Sequence, residues 1–322
     1  MPPRSRTEPR RAEPARAQPA RAQPARAQPA HHGILLVDKP AGWTSHDVVA
    51  KVRGLARQRS IGHTGTLDPM ATGLLVLCLG PATRLVEYMA GHDKTYEGDI
   101  RLGAATTTDD AEGEVTETAP IPALTADLLR ALEAEFTGTI QQVPPAFSAV
   151  KIAGQRAYAV ARKGGAPALQ PRPVTIHTLH LEPGAADTLR IRVTCGAGTY
   201  VRSLARDMGR ALGSAGHLAA LRRTRAGLFD IDDAWPLDDL ITLAGAGLFA
   251  EALLPPDEGV ADLAAAILST ERAARLANGS RLEVESEVPI AVARVYDSEG
   301  KFVAVGQVRD DRILLPLKVF TL

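Results

Sequence analysis

The stretch RSIGHTGTLDPMATGLL (residues 59–75) decides how this chain is read. It places three glycines, three threonines, one histidine and one aspartate between apolar runs. Taken alone, Asp68 followed by Pro69 reads as a helix N-cap with proline at the first helical position. Proline also pushes the residue before it toward an extended backbone. Gly62, Gly65 and Gly73 let the loop fold tightly and a substrate backbone come close.

Outward from this loop the chain alternates between strands and helices. Upstream, GILLVDKPAGWTSHDVVAKVRGLARQ predicts a strand, a Lys-Pro turn and an amphipathic helix capped by Thr44 or Ser45, with Val48, Val49, Val52 and Leu55 on its apolar side. Downstream, residues 73–80 predict a strand, 81–91 a short helix and 94–103 a half-buried strand, before an acidic turn at 106–115. Residues 124–138 predict a helix capped by Thr125 and stopped at Gly138, and 198–213 a second one. Strands PVTIHTL and TLRIRVTC lie between them. The last sixty or so residues alternate in β fashion and form a small separate unit. Without a regular βαβ rhythm, the fold class is α+β with a mixed sheet.

The 322 residues suffice for two domains. No apolar run approaches the length of a membrane span. Cys78 and Cys195 sit in apolar strand-like runs and read as reduced core cysteines, which fits a cytoplasmic protein. Residues 1–30 hold seven Arg against two Glu, a net +5 that the remainder must balance at −5. Their RAQPA repeat offers nothing to bury, so a disordered tail is expected, with at most weak attraction to a polyanion. GHTGTLD lacks the ending of a P-loop, and CGAGTYV lacks the third glycine of a dinucleotide fingerprint.

Three separated segments each offer a working residue. The first holds Asp68 with His63, Thr64 and Thr66; the second, DKTYEG, holds Tyr96 beside Lys94. The third, GTYVRSL, holds Tyr200 and Arg202 at a helix start, where backbone N–H groups favour anions. Each has an ordinary structural reading as well. The tyrosines suit a core, His63 suits a loop, and Arg202, Arg206 and Arg210 at i, i+4, i+8 suit a solvated helix face.

GILLVDKPAGWTS, GHTGTLDPMATGLL, DKTYEGDIRLG, PPAFSAVKIAGQRAY and GTYVRSLARDMG, in this order, closely resemble the bacterial TruB family of tRNA pseudouridine synthases. The resemblance spans roughly residues 33–225. It implies isomerisation of uridine 55 in the T-arm of tRNA, on a largely antiparallel mixed sheet flanked by helices. By the same resemblance Asp68 is the catalytic aspartate, Tyr96 stacks on the flipped uracil and Arg202 pairs with Asp68. His63 guards the space the base leaves, Lys39 and Pro40 buttress the site, and Tyr200 and Leu221 line the pocket. The expected organisation is a tail over 1–30, a catalytic domain over 31–255 and a PUA-like RNA-binding domain over 256–322.

The implied chemistry requires those residue types. A C–N bond is exchanged for a C–C bond at one sugar carbon, so neither a metal nor a cofactor is expected. A carboxylate must meet the sugar–base junction, as in a retaining glycosidase. Enclosed by apolar walls it would resist ionisation, and an arginine fork counters this better than a lysine. Positive charge at Lys51, Arg53, Arg57, Arg59, Lys151, Arg162, Lys163 and the Arg222, Arg223, Arg225 cluster would hold the tRNA, with Lys94 suited to a phosphate. The chain is expected to act as a monomer. Two alternatives remain open from sequence. One is an RNA-binding or RNA-folding module without chemistry. The other is a nucleoside hydrolase, which would want a second carboxylic acid; Asp109 and Asp110 look like turn residues.

Overall fold

The computed structural model describes residues 31–320, apart from 149, 153–154, 162–164, 166–167 and 286–291. The tail over 1–30 and the basic residues Arg162 and Lys163 therefore lie outside the described residues. Strand β1 (Gly33–Lys39) is buried almost throughout, as a central strand must be. Helix α1 (Ser45–Leu55) follows, with Thr44 as N-cap and Asp47 closing the capping box. The quoted loop runs from β2 (Ile61–His63) to β3 (Thr72–Leu79). Next come β4 (Lys94–Leu102), α2 (Ala126–Phe136), β5 (Gly138–Gln142), β6 (Arg172–Pro183) and β7 (Thr188–Cys195). Helix α3 (Val201–Ala211), β8 (Gly216–Ala226) and α4 (Leu237–Gly245) complete the large unit.

One ten-stranded mixed sheet organises this unit, with the path Trp235–Pro236, β1, β3, β8, β4, β7, β6, β5. Neighbours are antiparallel except β3 with β8 and β1 with Trp235–Pro236. Register places the sequence-distant motifs on one line across it. Lys39 lies opposite Gly73, Gly73 opposite Arg223, Arg223 opposite Tyr96 and Tyr96 opposite Val193. Alternation along β1 and β3 feeds two cores. Leu35, Val37, Leu75 and Leu77 pack with α1, α2 and α3 on one face. Ile34, Leu36, Leu74, Val76 and Cys78 face the other way.

That second face is covered by the C-terminal sheet. Its strands are β9 (Ala264–Ile267), β10 (Leu282–Glu283), β11 (Ala293–Tyr296), β12 (Phe302–Val308) and β13 (Ile313–Val319), in the order β9, β11, β12, β13, β10. Phe302, Val305 and Phe320 enter the same apolar cluster as Ile34 and Val76. Both cysteines are buried and free, and burial pushes their thiols up to about 12 at Cys78 and about 11 at Cys195. Among the described residues no helix is long and apolar enough to cross a membrane.

Local readings fail at two places. Asp68–Pro69 caps no helix, because the Pro69 carbonyl accepts hydrogen bonds from the Gly42 N–H (2.8 Å) and Lys39 Nζ (3.2 Å). Residues 81–91 do form the expected short helix, as a 3₁₀ segment, Gly80–Leu85, with proline at its start, running into one α-helical turn, Val86–Met89. Of the three glycines only Gly73 is sterically required. It holds φ +96°, and a Cβ there would lie 2.3 Å from the Arg223 carbonyl, whereas Gly62 faces open space.

Candidate active site

The site assembles where the quoted loop meets α3. Ser45 ties the start of α1 to the loop, its hydroxyl accepting from the Leu67 N–H (2.8 Å) and donating to the Leu67 carbonyl (3.1 Å). Lys39 is fully buried and donates from Nζ to the carbonyls of Trp43 (2.6 Å), Pro40 (2.9 Å) and Pro69. It therefore ties the loop to the end of β1, while Pro40 itself is exposed. Burial lowers the Lys39 ammonium to about 8, with Asp68 opposing. Arg223, also buried, holds the loop from below, donating to the carbonyls of Leu74 (2.7 Å) and Gly65 (3.1 Å).

Asp68 is thus presented by a loop fastened on three sides. Arg202 meets it at two points: Nη2 donates to Oδ1 at 3.1 Å, and Nε lies 2.9 Å from Oδ2. The second contact is an ion pair without hydrogen-bond alignment. Arg202 is no solvated-face residue, since its side chain is 6% exposed. Its other donors serve the carbonyls of Thr108 and Phe147, each at 3.1 Å, and Nη1 sits 3.3 Å from Asp110 Oδ2. The Asp68 side chain stays 34% exposed, so one side of the carboxylate remains open while the rest is packed in.

The electrostatics follow from this packing. Burial pushes the Asp68 carboxyl above the usual range; Arg202 opposes most strongly, Asp110 adds to the rise and Lys39 opposes it. Tyr96 projects from β4 beside Arg223. Its hydroxyl is pushed up by burial, with Arg223 opposing and Asp68 adding. It therefore stays a neutral phenol. Burial, then His46 and Arg223, lower His63 and favour its neutral ring.

Several expected binding residues are placed otherwise. Lys94 does not face a phosphate, because its Nζ is tied to the carbonyls of Ala90 (2.7 Å) and His92 (2.6 Å). Arg223 is a loop support rather than a surface cation, and Arg222 is paired through both Nη atoms with Asp38 (3.1 and 2.8 Å). The side chain of Lys151 lies outside the described residues. Tyr200 stands at the N-cap of α3 with Arg172 over its ring at 5.0 Å. Leu221, opposite Gly98, lines a groove of about 690 Å³ with Met70 and Thr72; Asp68 does not line it.

The TruB-family pseudouridylate synthase N-terminal model matches residues 53–201, and the tRNA pseudouridylate synthase B C-terminal model matches 202–273. The tRNA pseudouridine synthase B of Leifsonia xyli is 52% identical over 261 residues, covering 78% of this chain and 84% of that one. The chain belongs to the TruB family. A further TruB relative, from Xanthomonas campestris strain B100, is 43% identical across 90% of this chain and 94% of its own. The fold is shared with a chain of an H/ACA ribonucleoprotein bound to a substrate RNA containing 2′-deoxyuridine, with TM-score 0.69, 24% identity, and 90% and 85% of the two chains covered. A chain of a Cbf5–Nop10–Gar1 complex matches at TM-score 0.69 and 25% identity, covering 90% and 84%.

Within this TruB chain two supporting features escaped the sequence. Asp110, read as a turn residue, is buried against Arg202, accepting from Thr108 Oγ1 and the Glu112 N–H. Asp109 beside it, at φ +60°, pairs with Arg206 at 2.8 Å. Gln142, fully buried, takes over the capping of α3. Its Oε1 accepts from the Tyr200 N–H (2.8 Å) and its Nε2 donates to the Tyr200 carbonyl (3.1 Å). Paired aspartates beside three threonines were the available signal for the first; nothing in the sequence marks the second.

Proposed function

We propose that this TruB-family synthase isomerises uridine 55 in the T-arm of tRNA, with Asp68 as catalytic carboxylate. The observation that carries the reading is the partly open Asp68 carboxylate clamped by Arg202. A stacked base cannot reach such a carboxylate, so the nucleotide must be everted, at a cost of a few kcal/mol. Stacking on Tyr96 returns about 1–3 kcal/mol. His63 stands at the loop mouth, where the everted base leaves a gap.

With Asp68 ionised against the sugar–base junction, the C1′–N1 bond breaks and the base turns. C5 then bonds to C1′ and releases its proton, while N1 takes one up. Atoms and charge balance without oxidation or reduction. Arg202 steadies the carboxylate as charge shifts, and Lys39 holds the loop still.

Exposed Arg57 and Arg59 supply charge for the RNA backbone, and the stem-loop is recognised by shape. We assign residues 31–255 as the catalytic domain and 256–322 as a PUA-like RNA-binding domain of a monomer acting in the cytoplasm on tRNA, with no organic cofactor. The test is to incubate an unmodified tRNA transcript with the enzyme and map pseudouridine by carbodiimide adducts and reverse transcription. A stop confined to position 55 is expected. Modification elsewhere, or none, contradicts the assignment.

A further inference from the structure

A groove of about 920 Å³, beside the Trp235–Pro236 edge of the large sheet, has no part in the reaction as derived. Its buried and half-buried lining is apolar and aromatic: Phe229, Trp235, Ala252 and Leu254. Five exposed carboxylates surround this lining: Asp232, Asp233, Asp239, Glu251 and Glu258. Among the described residues no lysine, arginine or histidine lines the groove. Residues 226–271 hold ten acidic residues and no basic one. Asp230 and Asp262 nearby are paired with Arg225 (3.6 Å) and His92 (3.3 Å), whereas the five groove carboxylates enter no ion pair among the described residues.

We propose that this groove docks the chain's own arginine- and proline-rich segment, residues 1–30, its prolines on the aromatic lining and its arginines on the carboxylates. Docked there, the segment's charge is held on a face that RNA phosphates avoid. The inference does not depend on which uridine the enzyme modifies.

The described chain starts beside the groove. The His31 N–H donates to Gln58 Oε1 (2.9 Å), and the His31 ring meets Phe249 edge-on with centroids 5.3 Å apart. Ile34 exchanges backbone hydrogen bonds (2.9 and 2.8 Å) with Leu254, which lines the groove. Arg26 precedes His31 by five residues, a reach of up to about 17 Å, and Glu251 lies two residues beyond Phe249. Before Arg26, Arg21, Arg16 and Arg11 recur at five-residue steps, about 15 Å apart on a polyproline II backbone. Proline-rich segments of that backbone fit aromatic-lined grooves, and arginine is the cation best shaped for carboxylates. Charge selects the same occupant. Like charges around one groove repel one another; a segment of net +5 relieves this, while an RNA backbone would add to it. Tethering supplies an effective concentration of about millimolar, so contacts of modest strength suffice.

The test is paramagnetic relaxation NMR on the full chain with a spin label at Ala17→Cys. Cys78 and Cys195 are buried, so the label goes to the new thiol. At low ionic strength the amides of Asp239 and Leu254 should lose roughly half or more of their intensity. Amides of Gly138–Gln142, at the opposite edge of the sheet, should keep theirs. The loss should largely vanish at about 1 M salt, where the screening length falls to about 3 Å. It should vanish likewise when Arg16, Arg21 and Arg26 are changed to Gln, substitutions outside the sheet and its cores. Combining Asp232→Asn, Asp233→Asn and Glu251→Gln, all at exposed side chains, should have the same effect. Even intensities at low salt overturn the inference, as does a loss that survives removal of the three arginines. An equal loss when label and isotope are on different molecules places the segment on a second copy and overturns it too.

Discussion

Arg202 serves two carboxylates and two carbonyls at once, and a lysine cannot replace it. A single ammonium cannot reach Asp68, Asp110, Thr108 and Phe147 together. Arg202→Lys should lower single-turnover rate by about a hundredfold or more, with stem-loop affinity within a few fold of wild type. Urea unfolding should show a loss of about 1–3 kcal/mol from the carbonyls left unpaired. Asp110 acts in the opposite direction, because its negative charge helps hold the Asp68 carboxyl above the usual range. Activity requires the ionised form, so it falls as pH drops through that raised value. Asp110→Asn removes one of the raising influences, and the acid limb of the pH–rate profile should move to lower pH. An acid limb moving upward would show that Asp110 supports the carboxylate instead. At this scale the pairing of Asp68 with Arg202 was legible because their motifs are distinctive. Asp110 was not, since its role exists only through a contact with a helix ninety residues away.

Elements were legible where periodicity ruled and obscure where tertiary partners overrode it. The cap of α1 and the cap and stop of α2 follow local chemistry, with Thr44, Thr125 and Gly138 in the expected places. The helix anticipated after Asp68 fails because Lys39 and Gly42 claim the Pro69 carbonyl from thirty residues upstream. Strand β8 was hidden for a related reason. Its three arginines suggest a surface, yet Arg223 is buried and bonded to loop carbonyls. The junction of β3 with β8 is correspondingly intolerant. Gly73→Ala would drive a Cβ into the Arg223 carbonyl at a positive φ, so a stability loss of more than about 2 kcal/mol is expected in urea melts. Gly62→Ala, facing open space, serves as the control and should stay within about 1 kcal/mol of wild type.

Across the whole molecule, the α+β class and the C-terminal β unit follow from the pattern of elements. The way the units join does not, because alternating apolar residues on β1 and β3 do not say what covers each face. Here Phe302, Val305 and Phe320 cover one, and Lys318 reaches Glu87 at 2.6 Å. Removing residues 264–322 should therefore uncover apolar surface on the catalytic sheet and lower the melting temperature, beyond any effect on RNA affinity. Equal melting temperatures would show that the large unit is self-sufficient. Deleting residues 1–30 should change turnover little at moderate salt.

The central claim is that one carboxylate, steadied by one guanidinium, does the chemistry on an everted uridine. It is tested most directly with a tRNA transcript tritiated at C5 of uridine, since forming the new C–C bond releases that label. The full chain should release the label from the target uridine, while Asp68→Asn binds the same tRNA with comparable affinity and releases none. Undiminished release by Asp68→Asn would contradict the account.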